Sequence, residues 1–84
     1  MPYPHLFIKL TLEEQKKITN KLREFAIAGE YRKRKQLQVV WLSDSGLTFE
    51  QIARRLGKSY RTIQRWVSKY RKEGLKGLGI KDDK

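Results

Sequence analysis

The sequence predicts an all-α fold of four helices in one small domain, and three observations predict it. Thr11-Leu12-Glu13-Glu14 and Thr48-Phe49-Glu50-Gln51 each set a hydroxyl at a helix start and a Glu or Gln three residues later, the reciprocal pattern of a capping box. Glycines at 29, 46, 57 and 74 stand where helices begun in this way would stop. Between these signals apolar residues recur every three or four places, the period of a helix with one buried face. A chain of 84 residues fits a single domain with a small core.

Residues 1–10 are a lead-in. Pro2 and Pro4 oppose helix, and Leu6–Leu10 suits a short extended piece lying on the core. A first helix follows at about 12–28, with Ile18, Leu22 and Phe25 as its apolar stripe and Gly29 as its stop. A second, at about 31–45, buries Leu37, Val40, Trp41 and Leu42, and opens on the cationic run Arg32-Lys33-Arg34-Lys35. The third covers about 49–56 and turns inward Ile52, Ala53 and Leu56. Ser59 caps a fourth at about 60–73, whose inward residues are Ile63, Trp66, Val67 and Tyr70. Residues 11–74 thus form one helical domain. The stretch 75–84, rich in glycine and lysine, reads as a flexible tail.

The last two helices are separated by about three residues, Gly57-Lys58-Ser59, the spacing of a helix-turn-helix. What the fourth helix leaves outside is polar and cationic. Arg61, Arg65, Ser68 and Lys72 repeat every three or four places and share one stripe, with Tyr60 and Gln64 beside it. Residues 48–73 carry eight cations against two anions, and the whole chain has a formal net charge of +11. Cations in the first turn of a helix oppose its dipole by a few tenths of a kcal/mol each, a cost that an arriving phosphate reverses. The expected partner is therefore double-stranded DNA, bound in a sequence-specific way. Tyr60, Arg61, Gln64 and Arg65 are the candidates to read base edges, since Arg pairs bidentately with guanine and Gln with adenine. Lys58, Ser59, Thr62, Ser68, Lys69, Lys72, Arg32 and Arg34 are the candidates to hold phosphates.

Over residues 32–78 the sequence resembles the N-terminal DNA-binding domain of mariner-like bacterial insertion-sequence transposases. The resemblance rests on Asp44-Ser45-Gly46-Leu47-Thr48, Gln51-Ile52-Ala53, Leu56-Gly57, Ser59-Tyr60-Arg61-Thr62-Ile63, Arg65-Trp66 and the closing Tyr70-Arg71-Lys72-Glu73-Gly74-Leu75-Lys76-Gly77-Leu78. It implies a homeodomain-like trihelical helix-turn-helix, here with an additional N-terminal helix, that recognises the terminal inverted repeats of an element. Two features depart from the pattern. Lys58 stands where an aliphatic residue usually follows the turn glycine, and the 84 residues hold no counterpart of the family's catalytic domain with its acidic metal-binding triad. The implied role is an end-binding, transposition-accessory or transcription-regulating module, cytoplasmic and nucleoid-associated in a prokaryote.

Other classes have less to recommend them. No apolar run approaches the ~20 residues of a membrane span, and Met1–His5 lacks the basic start and apolar stretch of a signal peptide. There is no cysteine, and His5 has no neighbouring ligand types, so neither a metal nor another cofactor is expected. No nucleophile–base pair, phosphate loop or carboxylate pair suggests an enzyme or a small-molecule substrate. The alternative readings are a phage packaging-type small subunit, which would need an oligomerising segment after Gly74, and a helical protein-interaction adaptor. The helix at 12–28 leaves two roles open: interface of a homodimer, or completion of a monomer core.

Overall fold

A computed structural model describes residues 8–81. It contains α1 (Leu12–Ala28), α2 (Tyr31–Asp44), α3 (Phe49–Leu56), α4 (Tyr60–Glu73) and a 3₁₀ turn (Gly74–Leu78). There is no strand among the described residues. The four predicted helices are present, with α2 ending one residue before the expected Ser45.

Local chemistry accounts for the boundaries. The Thr11 hydroxyl accepts from the Glu14 amide while the Glu14 carboxylate accepts from the Thr11 amide, at 3.1 and 2.9 Å. Thr48 and Gln51 make the same exchange at 3.2 and 2.9 Å. Each box satisfies amide groups that the first turn of a helix leaves without intrahelical partners.

Packing centres on α2, which touches α1, α3 and α4. Leu37, Val39 and Val40 from α2 meet Ile52 of α3 and Ile63, Trp66 and Val67 of α4, all buried. Ile18 of α1 joins the same cluster, with Leu22 and Phe25 half-buried against it. Two expectations for α2 change. Val39 and Ser43 are buried, whereas Trp41 and Leu42 are only half-buried, Trp41 lying in a shallow groove against α1. The inward face is thus turned slightly from the one the largest apolar residues suggested. Ser43 is tolerated there because its hydroxyl accepts from the Ile8 amide at 2.9 Å.

Of the predicted lead-in, residues 8–10 are described and carry no regular secondary structure, while residues 1–7 lie outside the described residues. Ile8 is buried in the core. The Leu10 amide donates to Asp44 Oδ1 at 2.8 Å, and the Gln15 side chain donates to Asp44 Oδ2 at 3.1 Å. Asp44 at the end of α2 thereby anchors both the lead-in and the first turn of α1.

The stretch after Gly74 departs from the expected flexible tail. Residues 74–78 form the 3₁₀ turn, and Leu75, Leu78 and Ile80 are buried in the same core as Trp66. With three residues per 3₁₀ turn, Leu75 and Leu78 fall on one face and can both point at α4. Gly77 permits the approach. A Cβ built there would lie 2.5 Å from the Lys69 carbonyl oxygen, so any side chain would push the turn away from α4. Residues 82–84 lie outside the described residues.

Candidate nucleic-acid interface

The site is built on α4, and the turn before it sets where α4 begins. Gly57 lies at φ +68° and ψ +32°, a left-handed conformation that costs a residue with a Cβ roughly 1–2 kcal/mol. The Lys58 amide then donates back to the Ala53 carbonyl at 3.0 Å, closing α3. Ser59 accepts from the Thr62 amide at 3.2 Å and opens α4. Ile52 and Ala53 on one side of the turn and Ile63 on the other are buried, which fixes the two helices on each other.

All four predicted base-reading residues, Tyr60, Arg61, Gln64 and Arg65, are exposed on α4. So are Ser68, Lys69 and Lys72 on the same helix, and Lys58 and Ser59 in the turn. No acidic residue stands in the first turn of α4, and Arg71 and Lys72 occupy its last. A helix of 14 residues spans ~21 Å, long enough for its first half to enter a major groove ~12 Å wide while the rest follows the backbone.

Three predicted contacts are already engaged locally. The Ser59 and Thr62 hydroxyls lie 3.0 Å apart, in addition to the cap, and Thr62 is half-buried. The Tyr60 ring meets Phe49 edge-on, with centroids 5.8 Å apart, yet half of Tyr60 stays exposed. Packing and presentation therefore coexist at Tyr60, because Phe49 holds the ring where α4 starts.

Arg32 and Arg34 lie in the first turn of α2 rather than beside the stripe, Arg32 exposed and Arg34 half-buried. Arg32 nevertheless borders the same surface. Together with Lys33, Gln36, Arg65, Lys69 and Lys76 it lines a depression of about 530 Å³ between α2, α4 and the 3₁₀ turn. Among the described residues no carboxylate lines it. Glu30, at the N-cap of α2, pairs with Lys33 at 3.2 Å, and the same ammonium lies 5.9 Å from the centre of the Phe25 ring. Sequence reasoning missed Lys33, Gln36 and Lys76 as members of this surface. Lys76 was assigned to a tail, and the usable signal was the apolar spacing of Leu75, Leu78 and Ile80 around it.

On the other flank of α4, Gln64, Ser68, Arg71 and Lys72 border a second depression with Phe49 of α3. Among the described residues no group of three His, Cys, Asp or Glu could hold a metal ion. No helix of the described residues is long and apolar enough to cross a membrane.

Two helices joined by a three-residue turn, braced by a third helix and presenting a cationic outer face, define a trihelical helix-turn-helix module. The chain matches the family model of the homeodomain-like domain over residues 30–79, more than half of its length, and belongs to that family. The matched region starts at the N-cap of α2 and ends just after the 3₁₀ turn, so α1 lies outside it. No curated protein and no solved structure matches the chain. Homeodomain-like helix-turn-helix domains are DNA-binding modules.

Proposed function

We propose that this protein is a sequence-specific double-stranded DNA-binding module that sets α4 into the major groove. In this reading Arg61, Gln64 and Arg65 read base edges, and Tyr60 contacts the groove from the start of the helix. Lys58, Ser68, Lys69, Lys72 and Arg32 hold phosphates. Arg34, Ser59 and Thr62 contribute less, being partly covered or committed to the α4 cap. One observation carries the reading. The solvent side of α4 is an exposed run of Arg, Gln, Ser and Lys on a helix whose opposite side is buried by Ile63, Trp66 and Val67. A helix adapted only for packing would not need five cations and no acid between residues 61 and 72.

The motif run from Asp44 to Leu78 supports a narrower role, that of a transposase-like end-binding or regulatory module. Its natural setting would be the nucleoid. Gel shifts with a preferred site and with random duplex test the reading. Arg61→Ala or Arg65→Ala should each cost about 1–3 kcal/mol on the preferred site and relax its sequence preference. Lys69→Ala and Lys72→Ala should weaken both duplexes equally. Indifference of all four variants would remove α4 as the reading face. A homodimer would show as two half-sites about 10–10.5 base pairs apart, or a multiple of that spacing.

A further inference from the structure

The depression between α2, α4 and the 3₁₀ turn combines two features that separate it from an ordinary basic surface. Its cations come from three elements: Arg32 and Lys33 from α2, Arg65 and Lys69 from α4, and Lys76 from the 3₁₀ turn. Among them lies a neutral hydrogen-bonding group, Gln36, which is only 7% exposed. Beyond the backbone bonds of α2, the Gln36 side chain makes no hydrogen bond to the described residues. Yet among the described residues no side-chain nitrogen or oxygen is both buried and without a partner, so its amide must keep accessible surface, and the surface it borders is the depression. An amide that reaches the surface only in such a depression and has no protein partner is completed there by water or by a ligand.

We propose that this depression is a phosphate site for the DNA backbone, with the Gln36 amide donating to a phosphate oxygen and Arg32, Lys69 and Lys76 neutralising its charge. The proposal rests on the reading of α4 as the groove-binding helix and extends it. Arg65 belongs both to the α4 stripe and to the wall of the depression, so a strand lying in the depression runs along one edge of the groove that α4 occupies. Lys33 is the weakest member, because it is already paired with Glu30. Glutamine suits the floor of such a site. It offers two N–H donors without adding a further buried charge among the cations. The 3₁₀ turn is then part of the binding surface, held against α4 by the burial of Leu75 and Leu78 and admitted that close because Gly77 has no Cβ.

The test is fluorescence anisotropy with labelled duplexes at several salt concentrations, on Lys76→Gln and Gln36→Leu, beside Arg61→Ala. Lys76→Gln should reduce the slope of log K against log salt by ~0.9 and weaken preferred and random duplexes by the same factor. Gln36→Leu should weaken both several-fold with the slope unchanged, since a neutral donor displaces no counterion. NMR of the wild-type protein gives a second measurement that requires no variant to fold. The Gln36 side-chain amide should shift on adding duplex and not on adding inorganic phosphate at matched ionic strength. Unchanged affinity and slope in Lys76→Gln, with a Gln36 amide that ignores duplex, would overturn the site. A Gln36 amide that answers inorganic phosphate but not duplex would overturn it too, by making it a free-anion pocket. Loss of all sequence preference in the wild type, with the Lys76 slope change intact, would refute the base-reading role of α4 and still support the phosphate site.

Discussion

At Asp44 a single carboxylate joins three pieces of chain, accepting from the Leu10 amide and from the Gln15 side chain at the end of α2. Removing it would leave a half-buried amide without its charged acceptor, a loss of about 1–3 kcal/mol. Asp44→Ala should therefore lower the thermal midpoint, by roughly 4–8 °C for each kcal/mol in a domain of this size, followed by circular dichroism. DNA affinity at a temperature where the variant stays folded should be unchanged, because Asp44 supports α1 and not α4. Ser43 shows the same logic in the core: a hydroxyl with 0% exposure is acceptable because the Ile8 amide meets it. Both residues were hard to assign from sequence, since their partners lie 34 and 35 positions away. The exposed residues of α4 were easier. Their positions follow from helical spacing alone, and Tyr60, Arg61, Gln64, Arg65, Ser68, Lys69 and Lys72 are all exposed.

Among the elements, the helices whose ends are written in local chemistry were legible to within a residue. Thr11 with Glu14, Thr48 with Gln51, and Ser59 act through neighbours three positions on, so no knowledge of the fold is needed to see them. The 3₁₀ turn was not legible in that way. Its glycines resemble those of a linker, and only the fold shows that Gly77 is there for close approach to Lys69. Gly77→Ala tests this assignment. The added Cβ would overlap the Lys69 carbonyl, forcing a shift that costs about 1–3 kcal/mol, as overpacking does. The same displacement would carry Lys76 away from α4, so duplex affinity should fall without loss of sequence preference. Equal stability and affinity to wild type would mean that the turn is not packed on α4 in solution.

For the molecule as a whole, charge and architecture point the same way. A net +11 on 84 residues opposes compaction, and a polyanion relieves that repulsion. Charge pointed toward a polyanion but not to how such a surface is assembled. Arg32 and Lys76, 44 positions apart in the chain, share one depression only because α2 and the 3₁₀ turn both pack on α4. If roughly six to ten phosphates are neutralised, affinity should fall about 10³–10⁵-fold between 50 and 200 mM salt, measurable by anisotropy. A flat response would be incompatible with backbone neutralisation on this scale.

The central claim, that the outer face of α4 reads duplex DNA, is tested most directly by selecting bound sequences from random duplex DNA at a stated salt concentration. The wild type should enrich one motif, and Arg61→Ala or Arg65→Ala should lose preference at particular positions of it. Failure to enrich any motif, or a motif left unchanged by both substitutions, would contradict the claim.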